Sequence, residues 1–256
     1  MSGGMIGPYE IDRVYNMDCI EGMKKLPEKS VDLVLTDPPY GTTACAWDSI
    51  IPLEPMWEQL KRVIKPRGAI VMTASQPFTT VLIASNIKMF KYCWVWDKGQ
   101  GTGFLNAYKQ PLRSCEDICV FYSKQSVYNP QMRTGFKAYK CEQGKTKTKN
   151  YGKQTGAITE SDGNRFPITR IEFNRDGEKL HPTQKPVALM EYLIRTYTNE
   201  GELVLDFCMG SGTTGVACYQ TARYFIGFEL DTNYYKIACT RLAEAYEALG
   251  FFKEER

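Results

Sequence analysis

The feature that most constrains this chain is an apolar run brought to a hard stop. Val31-Asp32-Leu33-Val34-Leu35-Thr36 is followed by Asp37-Pro38-Pro39-Tyr40 and then Gly41. The run is short, β-branched and bounded by breakers, so it reads as a buried strand. Two prolines cannot continue a ladder or open a regular helical turn, so the strand ends there with its backbone locked. In open α/β sheets the carboxyl ends of strands are where ligands bind. Proline removes a backbone donor and leaves its carbonyl as an acceptor. The tetrapeptide therefore offers a carboxylate, carbonyls without competing donors, and an aromatic face. That set suits a planar base with an exocyclic amino group. The carboxylate and a carbonyl accept the two amino hydrogens, and the Tyr40 ring stacks. The same residues also fit a plain strand-ending turn with an exposed tyrosine, so the decision rests with the remaining chain.

Strands and helices alternate around this stop. Residues 13–17 read as a strand and 19–26 as a short helix, with Ile20, Met23 and Leu26 at helical spacing. Asp18 between them can face a ligand from a strand end, cap the helix, or do both. The loop 41–51 carries Trp47 and Asp48, with Trp47 packing in the loop or beside a bound base. Residues 53–64 place Met56, Trp57, Leu60, Val63 and Ile64 on one helical face, and Lys65-Pro66-Arg67-Gly68 stops that helix. A strand at 69–74, a helix at 78–89 and a strand at 92–97 follow. The glycine-rich loop 99–103 then leads to a strand at 117–122. Such alternation predicts a mostly parallel sheet with helices on both faces. The last two strands have no clear helix between them, which predicts an antiparallel strand near the edge.

Composition narrows the class. At 256 residues the chain is one large domain or one domain with an insert. No run of about 18 apolar residues appears, so no membrane span is expected. Met1-Ser2-Gly3-Gly4-Met5 does not read as a secretory leader. Nine scattered cysteines without a Cys-x-x-Cys pair read as reduced thiols and imply a cytoplasmic protein. The single histidine, His181, and the lack of a Cys/His cluster argue against a metal site. Net charge is only +3, yet residues 124–180 hold 12 Lys/Arg against 6 Asp/Glu. That segment interleaves its cations with Tyr128, Phe136, Tyr139, Tyr151, Phe166 and Phe173. It reads either as a nucleic-acid footprint or as a solvated loop region. Lys145, Lys147 and Lys149 could meet phosphates or simply carry solvated charge. The segment has no helix-turn-helix or zinc-finger spacing.

A second constellation closes the chain. His181-Pro182-Thr183-Gln184-Lys185-Pro186 precedes a helix at 187–197. Leu203-Val204-Leu205-Asp206-Phe207 is a buried strand, and Cys208-Met209-Gly210-Ser211-Gly212-Thr213-Thr214-Gly215 leads into another helix. A strand at 224–229 ends on Glu229, and a helix at 233–249 follows. Glycines let a ligand approach the backbone, and the helix start supplies free amides. Glu229 at its strand end can accept both hydroxyls of a ribose, so this unit reads as an adenosine-cofactor site. Gly210, Gly212 and Gly215 also satisfy the Gly-x-Gly-x-x-Gly pattern of a dinucleotide site, a weaker reading that leaves Asp37-Pro38-Pro39-Tyr40 unexplained.

Taken together, the two constellations resemble the β subgroup of amino-group DNA methyltransferases. Further matches are Met17-Asp18-Cys19, Lys65-Pro66-Arg67-Gly68, Trp96-Asp97-Lys98-Gly99 and the segment 181–186; the stretch 103–122 looks most like solitary phage or prophage enzymes. Phe207-Cys208 departs from the Pro-Phe that many members carry after the acid. The resemblance covers nearly the whole chain outside the interior of the basic insert. It implies a circularly permuted, Rossmann-like S-adenosylmethionine-dependent methyltransferase fold, with a mostly parallel seven-stranded sheet and one antiparallel strand near the edge. Residues 1–123 would form the catalytic half, 124–180 a target-recognition insert, and 181–256 the cofactor-binding half.

The resemblance also implies roles. Asp206, Gly210 and Gly212 would line the methionine part of S-adenosylmethionine, with Thr213 and Thr214 near its carboxylate, and Ser211 would also bind the cofactor. Glu229 would hold the ribose and Asp18 would meet the adenine, while Asp37 and Lys185 would border the same pocket. Asp37, Pro38, Pro39 and Tyr40 would hold a base flipped out of duplex DNA. The expected reaction is methylation of adenine N6, because Asp precedes Pro-Pro. Cytosine N4 is the alternative, and an inactive DNA-binding regulator is the alternative of another class. No metal is required, a homodimer is a further expectation from relatives, and the setting would be a bacterial or phage-infected cell.

Overall fold

The computed structural model describes residues 4–41, 49–143, 147–148, 152–153, 157–175 and 184–250. Two compact units emerge, one joining the chain up to Asn129 with the chain from Thr169, the other spanning Pro130–Ile168. In the first unit a small hairpin, β1 (Met5–Ile6) and β2 (Tyr9–Glu10), precedes β3 (Arg13–Asn16), α1 (Cys19–Lys24) and β4 (Val31–Thr36). Then come α2 (Leu53–Val63), β5 (Ile64–Ala74), α3 (Phe78–Ser85), β6 (Phe90–Thr102) and β7 (Arg113–Phe121). The second unit holds β8 (Tyr139–Gln143), β9 (Lys147–Thr148), β10 (Gly152–Lys153) and β11 (Ala157–Ser161), paired antiparallel as β8–β11 and β9–β10. The first unit resumes with β12 (Arg170–Glu172), α4 (Val187–Tyr197), β13 (Leu203–Asp206), α5 (Thr213–Gln220), β14 (Tyr224–Glu229) and α6 (Thr232–Ala248).

The main sheet has the order β12-β6-β7-β5-β4-β13-β14-β3. Only β7 runs against its neighbours, pairing antiparallel with both β5 and β6. The sheet therefore has eight strands where seven were expected. The addition is β12, three residues that pair in parallel with β6 and bury Ile171. Alternate residues feed two cores, as strand geometry requires. Val34, Ile70 and Met72 face the core covered by α1, α2 and α3, through Met23, Leu60 and Leu82. Leu33, Leu35 and Val71 face the core covered by α4, α5 and α6, through Leu193, Ala217 and Leu242. Helices thus cover both faces.

Several elements differ locally from the sequence-based expectation. The helix at 78–89 stops at Ser85, with Asn86 as its C-cap. The glycine stretch 99–102 is the end of β6, where Thr102 pairs with Arg113. A side chain at Gly101 would meet Leu112 Cβ at 2.8 Å, so glycine permits that pairing. Lys65-Pro66-Arg67-Gly68 stops α2 by opening β5. Asp32, the acid inside an apolar strand, accepts two hydrogen bonds from Lys65 Nζ (2.8 and 2.7 Å) and one from Leu203 N (3.1 Å), so it ties three strands together. Among the described residues no helix is long and apolar enough to cross a membrane, and no His/Cys/Asp/Glu group could hold a metal ion.

Candidate active site

Parallel strands put their carboxyl ends on one edge of a sheet, and here four adjacent strands each deliver an acid to that edge. Asp37 follows β4, Asp206 ends β13, Glu229 ends β14, and Asp18 follows β3. All four line one cavity of about 820 Å³, a size suited to a small-molecule ligand. Pro38, Pro39, Tyr40, Lys185, Gly210, Ser211, Thr213 and Thr214 line it too. Gly212 does not. Its φ of 83° closes the turn, and a side chain there would press on Ala238 of α6 at 3.3 Å, so its need for glycine comes from the turn and from helix packing. Gly215, the third glycine of the pattern, packs against Leu242 and Met209.

Asp37 is held from three directions. Tyr40 Oη donates to its Oδ1 at 2.7 Å, the Thr73 hydroxyl donates to the same oxygen, and Lys185 Nζ donates to Oδ2 at 2.7 Å. A carboxylate offers about four acceptor positions, so one on Oδ2 is left for a ligand. Lys185 is itself buried, at 5 % exposure, with Glu116 Oε2 3.4 Å away. Burial opposes its charge, but Asp37 and Glu116 outweigh that and keep its pKa above the ordinary lysine value. Glu116 continues the chain to Lys98, whose Nζ lies 3.1 Å from Oε1. Burial works against the Glu116 carboxylate, yet Lys185 and Lys98 pull its pKa below the usual value. The result is a buried row of alternating charges, Lys98–Glu116–Lys185–Asp37. The Tyr40 ring rests on Phe78, with centroids 5.4 Å apart and planes 22° from parallel. Burial and the neighbouring Asp37 push its phenol well above the usual value, so it stays a donor.

The other half of the cavity is equally ordered. Asp206 accepts from Thr36 Oγ1 (2.7 Å), Cys208 N (3.0 Å) and Thr214 Oγ1 (2.6 Å). Burial raises its pKa to about 6 in spite of those hydrogen bonds. Glu229 accepts from Gly210 N at 2.7 Å and Asp231 N at 2.8 Å, one on each oxygen. Glu229 also lines the cavity, so its carboxylate is placed there as a hydrogen-bond acceptor. Asp18 caps α1, its Oδ1 accepting from Ile20 N and Glu21 N, and the residue also lines the cavity. The first-turn amides of α5 have no partner within the helix, as at any helix start. Phe207 fills the core and Cys208 lines the cavity, so the departure after Asp206 leaves the turn intact.

Sequence reasoning missed Thr73, Lys98, Glu116 and Arg241. The last donates from α6 to Thr213 Oγ1 at 2.8 Å and to the Ser211 carbonyl at 3.2 Å, bracing the glycine turn. Trp47, Asp48, Lys145, Lys149 and His181, and the side chain of Lys147, lie outside the described residues. Phe173 and Tyr128 serve the fold: Phe173 packs on Tyr192 and its carbonyl takes the Trp96 indole N–H at 2.9 Å, while Tyr128 packs near Tyr197. Within the second unit, Arg165 stacks over Tyr139 at 4.5 Å and donates to the Lys137 carbonyl at 2.7 Å.

A doubly covered, mostly parallel sheet with a glycine turn after one central strand and a Pro-Pro turn after its neighbour is an S-adenosylmethionine-dependent methyltransferase fold. The chain belongs to the DNA methylase family of the N6/N4 type, whose model matches residues 31–240, and this makes it a DNA amino-methyltransferase. It is 28% identical to the type II methyltransferase M.HpaI of Haemophilus parainfluenzae, over 94% of this chain and 77% of that one. It is 27% identical to the DNA adenine methyltransferase YhdJ of Escherichia coli K12, over 91% and 83%. Among solved structures it is similar to M1.HpyAVI in complex with SAM, at 26% identity and a TM-score of 0.61, covering 90% of this chain and 98% of that one. The cytosine-N4-specific PvuII methyltransferase shares the fold, with a TM-score of 0.63 at 16% identity over 92% and 91%.

Proposed function

We propose that the protein transfers the methyl group of S-adenosylmethionine to the N6 amino group of an adenine extruded from duplex DNA. The observation that carries this reading is that Asp37-Pro38-Pro39-Tyr40 and the Asp206–Glu229 half line one cavity. The donor set fits the cofactor. Glu229 keeps acceptors for a ribose diol, Asp18 lines the far end, and Asp206 faces the amino-acid part beside the α5 amides. When bound, the cofactor supplies an electrophilic methyl group on a cationic sulfur.

The residues of the chain do the rest. Asp37 Oδ2 and the Pro38 carbonyl accept the two amino hydrogens and so favour the tetrahedral nitrogen that can attack. Tyr40, braced by Phe78, stacks on the base. Asp37 stabilises the positive charge that develops on nitrogen until one amino proton is lost to water, and positioning supplies much of the acceleration. Lys185 and Thr73 keep the carboxylate in place. Adenine is favoured by the Asp before Pro-Pro and by the adenine-specific name of a relative. Cytosine N4 is the second reading, because the family spans both amino groups.

The test is incubation with methyl-labelled S-adenosylmethionine and unmethylated genomic DNA, followed by nucleoside identification and mapping. N6-methyladenine in one short sequence is the expected product. N4-methylcytosine would move the assignment to the other base, and no incorporation with cofactor bound would favour the regulator reading.

A further inference from the structure

The proposed reaction makes no use of the hairpin joining β6 to β7. Because β7 runs against its neighbours, this turn lies on the same sheet edge as Asp37. Its stem is fixed: Thr102 pairs with Arg113 and donates Oγ1 to the Arg113 carbonyl at 2.9 Å, and both residues line the cavity. Its tip is a short 3₁₀ turn, Phe104–Asn106, closed by Asn106 N to Gly103 O (2.9 Å), Ala107 N to Phe104 O (3.1 Å) and Lys109 N to Asn106 O (2.9 Å). That internally bonded knob carries large apolar side chains into solvent. Leu105 is 100% exposed, Tyr108 106% and Phe104 69%. They add nothing to either core, and apolar surface of this kind marks a docking site. The flanking charges are Lys109 and Arg113, and no acid occurs from 99 to 115.

We propose that this tip is a wedge for duplex DNA: Leu105 and Tyr108 enter the base stack where the target base leaves it, and Lys109 and Arg113 meet the adjoining phosphates. The inference rests on the base-extrusion reading above. Extrusion costs unstacking, and apolar wedges inserted between base steps offset that cost. The cations suit a polyanion, and the stem that carries the tip lines the cavity that would take the extruded base.

The test compares the wild-type protein with the Leu105→Ala/Tyr108→Ala variant on one target sequence in three forms. These are a matched duplex, a duplex whose target base faces an abasic site, and a single strand. On the matched duplex the variant should be slower by about tenfold or more. On the other two forms, where the base is already unstacked or unpaired, it should come within about twofold of wild type. A 2-aminopurine at the target position should brighten on wild-type binding and stay dim with the variant. Equal loss on all three forms, or no loss on the matched duplex, overturns the wedge. Failure of the underlying reading is distinguishable, because the wild-type protein would then methylate none of the three.

Discussion

At the scale of single residues, the site works because each carboxylate is placed in a different environment. Asp37 is ringed by donors with one acceptor position left, so Asp37→Ala should lower methyl transfer by about 10²–10³-fold or more while cofactor binding persists. Single-turnover transfer and calorimetry measure the two; near-normal transfer would remove Asp37 from the mechanism. Asp206 is buried and titrates near 6. Between the unfolded carboxylate value of about 4 and that point, the folded protein holds its proton more tightly than the unfolded chain. Its stability contribution therefore falls as pH rises through that window, a slope shared by Asp12, whose carboxyl burial also raises to about 6. Cofactor affinity has the opposite sign. The ionised carboxylate attracts the cationic cofactor, so affinity should rise with pH through about 6, and Asp206→Asn should flatten that rise. A persisting slope in the variant would assign it to another group. Asp37, Asp206, Glu229 and Asp18 were legible because each closes or shortly follows an expected strand, and Asp37 is marked further by the two prolines after it. Glu116 and Lys98 were not, since charges inside a strand have no ligand-like spacing to betray them. The signal available was an acid pair, Glu116-Asp117, opening an otherwise apolar run.

At the scale of elements, legibility followed burial. β4 begins and ends where its apolar run does, because both of its faces are covered. β12 escaped notice because three residues in a basic segment, with Ile171 alone turned inward, make no alternating pattern. The end of β6 was hidden by glycines that read as loop. Close approach between elements also sets a testable limit. In α1 a side chain on Gly22 would lie 2.8–2.9 Å from three atoms of the Phe228 ring, which is fully buried in β14. A rigid ring in a packed core cannot yield cheaply, so Gly22→Ala should cost about 1–3 kcal/mol. Thermal unfolding reads this as a midpoint several degrees lower; an unchanged midpoint would mean that α1 simply lifts away.

At the scale of the whole molecule, charge and connectivity carry the consequences. The basic segment 124–180 predicts DNA binding that weakens steeply with salt, by about 10³-fold or more between 50 and 200 mM if six or more phosphates are neutralised. Cofactor affinity should barely change over that range, and a flat DNA isotherm would reassign those cations to solvent. Connectivity has a temporal meaning as well. β13 and β14 are the last strands among the described residues, yet they sit between β4 and β3, in the interior of the sheet. During synthesis, β3 and β4 wait with unpaired edges while some 170 residues emerge between β4 and β13. Unfilled edges of that kind invite pairing with other chains, and long-range insertion is slow. The strands that arrive last also bring Asp206 and Glu229. Completion of the sheet and acquisition of the cofactor site are therefore one event, and a growing chain gains its ligand at the moment it loses its exposed edges.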